Sequence, residues 1–152
     1  MKIRRATYQD SEQIISLVKK VLNEFGFTYD QKTSEADIED IEATYLTDNG
    51  TFLVCTYKNK IVATGGLLEI NKTIYKVRKM YVDKEHRGTG LGKRMLASLE
   101  GEAIRRGAAQ LILETTDQMK AAINLYLGSG YAVTSTPTAS PRCTMTMAKN
   151  LK

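Results

Sequence analysis

The residues best suited to chemistry run His86-Arg87-Gly88-Thr89-Gly90-Leu91-Gly92-Lys93. Three glycines fall at every second position, and a basic residue stands at each end. Val77 to Val82 reads as a strand before this stretch, and Leu91 to Arg106 reads as a helix after it. The first N–H groups of a helix have no intrahelical partner, and the helix dipole adds partial positive charge there. Glycine leaves out the Cβ that would block close approach. A phosphate or pyrophosphate is the natural guest of such a turn. A plain tight turn would also use glycines. The strand before, the helix after and the basic flanks favour phosphate binding over that reading.

Two familiar phosphate loops fit poorly. A Walker loop needs G-x-x-x-x-G-K followed by Ser or Thr. Here Arg87 stands at the first glycine and Arg94 at the hydroxyl. A Rossmann turn needs G-x-G-x-x-G directly after a first strand. Gly88 and Gly90 fit, but Lys93 replaces the third glycine and Asp83-Lys84-Glu85 intervenes. Glu114 does stand roughly where a ribose-binding acid would be.

The elements that position this turn can be read along the chain. Lys2 to Ala6 is a strand, and Thr7-x-x-Asp10 is a capping signal for a first helix. Ile14, Val18, Val21, Leu22 and Phe25 form its apolar stripe, closed by Gly26. A second helix spans about Glu35 to Leu46 with Ile38, Ile41 and Tyr45 inward. Its acidic residues Glu35, Asp37, Glu39, Asp40 and Glu42 read as a solvated face. Thr51–Tyr57, Ile61–Leu68 and Ile74–Val82 form an antiparallel meander. Leu111 to Glu114 reads as a buried, parallel strand. A fourth helix, Gln118 to Leu127, follows a cap at Thr116 or Asp117. Tyr131 to Ser135 and Cys143 to Ala148 are the last strands. The expected architecture is an α/β fold, a mixed sheet of about seven strands flanked by four helices.

Global properties bound the function. The chain of 152 residues suits one domain, 1–152, with a real core. Without an export signal or an apolar run of bilayer length, a cytoplasmic, membrane-free setting is the expectation. Cys55 and Cys143 lack metal spacing and read as buried thiols, so no metal is expected. A net charge of +5 favours acidic partners. The basic residues are spread out and aromatics make up 7%, so a polyphosphate cofactor explains the charge better than nucleic acid.

Arg87-x-x-Gly90-x-Gly92 after an apolar strand resembles the R/Q-x-x-G-x-G/A acetyl-CoA loop of the GCN5-related N-acetyltransferase (GNAT) superfamily. Ala121-Ala122-Ile123-Asn124-Leu125-Tyr126, with Gly130-Tyr131 beyond, looks like that family's A-x-x-L-Y-x-x-x-G-F/Y helix. The resemblance spans nearly the whole chain and implies transfer of acetyl from acetyl-CoA to a primary amine, within a ternary complex. The implied cofactor-binding residues are Met80, Tyr81 and Val82 along the pantetheine arm. Backbone amides of Gly88, Thr89, Gly90, Leu91, Gly92 and Lys93 would hold the pyrophosphate, with Arg87 opening the loop. The sheet would part after Val82, and an N–H near Val82 could also stabilise the oxyanion. Tyr126 would be the general acid toward the departing thiolate. By periodicity alone, Tyr126 reads more readily as a half-buried core tyrosine, and it is the resemblance that favours the acid role.

Several points stay open at this level. The general base is Glu69, Glu114 or water. Many relatives carry a glutamate early in the fourth strand, where this chain has Lys76. Many carry an asparagine where it has Met119. The acceptor is a small-molecule or peptide amine, and the state is monomer or homodimer. A non-enzymatic CoA or polyphosphate sensor is the alternative function.

Overall fold

The computed structural model describes residues 1–152. Strands are β1 (Lys2–Arg5), β2 (Gly50–Tyr57), β3 (Lys60–Glu69), β4 (Ile74–Val82), β5 (Gln110–Thr115), β6 (Ala132–Thr134) and β7 (Met145–Asn150). Helices are α1 (Ser11–Glu24), α2 (Ala36–Glu39), α3 (Ile41–Tyr45), α4 (Leu91–Arg105) and α5 (Lys120–Gly128). The strands form one mixed sheet in the order β1-β2-β3-β4-β5-β7-β6. The pair β4/β5 is parallel, and every other pair is antiparallel.

Strand β2 shows how one sheet builds two cores. Successive side chains of a strand point to opposite faces. Phe52 and Val54 pack in a cluster with Ile14, Val18, Leu22, Ile38, Ile41 and Tyr45, so α1 to α3 cover that face. Leu53 and Cys55 pack in the other cluster with Leu91, Met95, Leu99 and Tyr126, so α4 and α5 cover the opposite one. Both faces are buried, which is why β2 is apolar almost throughout. Truncating a fully buried side chain such as Phe52 or Leu99 to Ala costs about 2–5 kcal/mol.

Two expected elements change. The helix expected over Glu35 to Leu46 breaks at Asp40, whose backbone leaves helical geometry at φ −128° and ψ 74°. Its carboxylate accepts from Ala43 N and starts α3 afresh. Thus there are five helices, not four. The last helix begins at Lys120, after Met119, and no side chain of Thr116 or Asp117 caps it. Cys143 lies outside β7 and is half-buried, whereas Cys55 is buried. No helix is long and apolar enough to cross a membrane.

Candidate active site

The site begins where β4 and β5 separate. Their ladder runs from Ile74/Gln110 to Val77/Leu113 and stops. β4 continues to Val82 without a neighbour on that side, while β5 stays paired with β7 to Thr115. The sheet therefore parts after Val77, well before the expected Val82. The physical cause is a bulge. Lys79 and Met80 lie in a register shift of β4 across from Gly65, and Lys79 takes φ +52°. An extra residue bends its strand and strengthens the twist. Thr64 Oγ1 donates to Lys79 O at 2.8 Å and holds the bulge in place.

Beyond the bulge, Asp83 N donates to Val62 O at 2.8 Å. Alternate residues of an antiparallel strand turn their backbone groups away from the partner. Val82 falls on that outward phase, and its carbonyl accepts from Arg87 Nε at 3.0 Å. The Val82 N–H faces the gap on the same edge.

The glycine turn lies at the wide end of this gap. Gly88 and Gly90 take φ +76° and +84°, values that a Cβ makes costly. They turn the chain so that α4 starts pointing its amide end at the gap. No N–H from Gly88 to Lys93 donates to a protein acceptor. A Cβ on Gly92 would stand 3.2 Å from Leu125, so glycine there lets α5 approach α4. A cavity of about 460 Å³ runs from this turn along β4 to α5.

Of the residues expected to bind cofactor, Met80, Tyr81, Val82, Arg87, Gly88, Gly90, Leu91, Gly92 and Lys93 all line this cavity. Thr89 does not; its hydroxyl donates to His86 O at 2.8 Å on the outer side of the turn. The Arg87 guanidinium is engaged elsewhere. It makes two bonds to Glu24, at 2.6 and 3.0 Å, and lies over the Phe25 ring. Arg87 thus fastens the turn to α1, and Lys93 and Lys120 are left as the cavity's free cations.

Tyr126 sits in the wall between this cavity and a second one of about 110 Å³. It is 6% exposed, and burial pushes its phenol up to about 12, with Cys143 adding a smaller push. No protein group accepts its proton. Its ring packs edge-on to Tyr131 at 6.0 Å.

Glu35, from the acidic run that reads as a solvated face, lines the second cavity, and Asp37 packs against its wall through Lys79. Glu35 is fully buried and Asp37 is 7% exposed. Arg142 reaches both Glu35 oxygens at 3.0 and 3.1 Å. Lys79 Nζ lies 3.0 Å from Asp37 and 3.7 Å from Glu35, placed there by the bulge. Tyr45 donates to Asp37 from beneath. Burial draws the Lys79 ammonium below the ordinary lysine range, against the pull of Asp37. Asp37 stands four residues before Ile41 and eight before Tyr45, so the helical stripe itself carried the signal for its burial. Nothing near Glu35 in sequence signals Arg142.

The candidate bases fare poorly. Glu114 lines the second cavity, but Lys76 holds one oxygen at 2.6 Å and the amides of Ala139 and Ser140 donate at 3.0 Å. Burial raises its proton affinity, yet these donors together keep its carboxyl below the ordinary glutamate range. Lys76 is therefore the counterion of Glu114. Glu69 pairs with Tyr75 at the opposite end of β4 and lines neither cavity.

Comparison with known proteins agrees with this geometry. The model of the acetyltransferase (GNAT) family matches residues 15–131. The uncharacterised N-acetyltransferase YjgM of Escherichia coli is 30% identical over 134 residues, which cover 85% of this chain and 80% of that protein. The chain spans about half the length of the mammalian N-acetyltransferase 8 relatives that it also matches. An acetyltransferase structure from Staphylococcus aureus Mu50 superimposes with a TM-score of 0.93 at 24% identity, covering 99% of both chains. YncA from Salmonella typhimurium, solved with its cofactor acetyl-CoA, superimposes with a TM-score of 0.74 at 22% identity, covering 100% of this chain and 94% of that one.

Proposed function

The chain belongs to the GNAT acetyltransferase family, and from that membership we propose that it moves acetyl from acetyl-CoA directly onto a primary amine of a small molecule or peptide. The family decides for an enzyme over a non-enzymatic sensor. Bound acetyl-CoA would supply the activated acetyl group; the chain's own residues do the rest.

The observation that carries the reading is the row of unpaired amides from Gly88 to Lys93, facing a gap that leads to Tyr126. Those amides and the dipole of α4 suit a pyrophosphate. The outward edge of β4 from Met80 to Val82 suits an extended amide-bearing arm. The Val82 N–H would hold developing negative charge on the acetyl oxygen. The Tyr126 hydroxyl, with no protein acceptor, would give its proton to the departing sulfur.

The acceptor amine must arrive neutral. At pH 7 that costs an unperturbed amine about 4.6 kcal/mol. Both candidate carboxylates are unsuited, Glu114 by its donors and Glu69 by its place. We assign the proton to water leaving through the second cavity. Calorimetry with acetyl-CoA, followed by a CoA-release assay over a panel of amines, tests the whole reading. Saturable binding with turnover supports it; a protein that binds no acetyl-CoA overturns it.

A further inference from the structure

The second cavity has a sign. Four cations line it, Lys76, Arg78, Lys79 and Arg142, against two carboxylates, Glu35 and Glu114. Asp37, packed against Lys79, brings the excess down to one positive charge. The carboxylates are saturated by the protein. Glu35 accepts from Arg142 and from Asp30 N at 2.8 Å, and Glu114 accepts from Lys76, Ala139 and Ser140. Three of the cations are likewise committed, with side chains 17%, 6% and 16% exposed for Lys76, Lys79 and Arg142.

Arg78 differs from all of them. Its side chain is 32% exposed, and its nearest partners are Asp37 at 3.7 Å and Ser34 O at 3.5 Å. A guanidinium carries five donors in a planar fork that matches a carboxylate. Arg78 leaves most of that fork unused at the wall of a cavity that Tyr126 also lines. The cavity, about 110 Å³, is small beside the 460 Å³ of the first. An amine and an anion that both enter it must therefore lie close together in one molecule.

We infer that the acceptor carries a carboxylate on the carbon next to its amine, an α-amino acid in chemical class, and that Arg78 pairs with that carboxylate. This rests on the acetyl-transfer reading above. The positive wall also disfavours polyamines, which bring a second cation instead of an anion.

The test is a CoA-release assay with acetyl-CoA and each of the twenty L-amino acids, beside the matching amino amides and spermidine. The best amino acid should exceed its amide in kcat/KM by at least about tenfold, the size set by one charge-assisted hydrogen bond. Arg78→Gln should shrink that gap by raising KM for the acid, and Arg78→Lys should restore part of it. Amides or spermidine accepted as well as the acids would overturn the acceptor class and leave acetyl transfer standing. So would an acid-to-amide gap that Arg78→Gln does not change. Turnover on no amine, with acetyl-CoA still bound in calorimetry, would remove the transfer reading and this inference together.

Discussion

Glu35 and Arg142 stand 107 residues apart in the chain and share two hydrogen bonds of 3.0 and 3.1 Å. Arg142 also donates to Thr28 O at 2.9 Å. The loop before β7 is thereby tied to the loop before α2, across the second cavity. Removing one partner of a buried pair strands the other charge, which costs about 3–5 kcal/mol. Glu35→Gln should lower unfolding stability in urea by an amount of that order. Adding Arg142→Met should cost little more, because the coupling is already lost. Additive losses would show that the pair does not act as a unit.

Gly90→Glu should weaken acetyl-CoA binding at least about 100-fold in calorimetry. It places a carboxylate beside the free amides, and like charges at about 4 Å repel by about 4 kcal/mol at an intermediate dielectric. Gly107→Glu is the control. Gly107 has a similar φ of +90° with open space around it, at the opposite end of α4. Comparable losses in both variants would trace the effect to backbone strain and not to the ligand.

Tyr126→Phe removes a proton donor and keeps the ring. A positioned general acid contributes about 10²–10⁴-fold. The variant should lose about 100-fold or more in kcat while its acetyl-CoA dissociation constant stays within about threefold. Unreduced turnover would take the acid role from Tyr126.

The rate should rise with pH and then level off. A phenol donates only while protonated, and burial pushes Tyr126 up to about 12, above the free value of 10.0. Its protonated form therefore persists across the assay range. The acceptor amine, by contrast, becomes competent as pH rises. The kcat/KM profile should show one ascending limb and no descending limb below about pH 11. A fall in rate centred near pH 9 in the wild type, absent in Tyr126→Phe, would contradict the burial argument.

Glu114→Gln should destabilise more than it inactivates. Glu114 anchors Lys76, Ala139 and Ser140, and hydrogen bonds to a charged group contribute about 1.5–3 kcal/mol each. Denaturant melts should show a loss of about 1–3 kcal/mol, with kcat held within tenfold. A collapse of kcat by 10³ with unchanged stability would return Glu114 to the role of base.

Much of the frame was legible because it depends on neighbours in sequence. The strand, glycine turn and helix from Ile74 to Arg105 follow from local pattern and from what glycine permits. So does the meander, and so do the inward faces of Ile38, Ile41 and Tyr45. The point where the sheet parts has no local signal, because it depends on the bulge at Lys79, a residue with nothing unusual in its type. Arg87 reads as the residue that opens the loop, and its pairing with Glu24, on another element, has no local signal. Glu35 reads as solvated because its counterion, Arg142, lies far along the chain. Tyr126 needed the fold to show that it separates two cavities.

The short parallel ladder between β4 and β5 has a mechanical consequence. Four residue pairs form the only strand pairing between the plate β1 to β4 and the plate β5 to β7. Parting the two plates at this seam would break that small set of bonds and disturb the core that β2, β5 and β7 share. The apolar layer beneath α1 belongs entirely to the first plate and rides along intact. Amide deuteration at the seam would gauge directly how often the two plates part there.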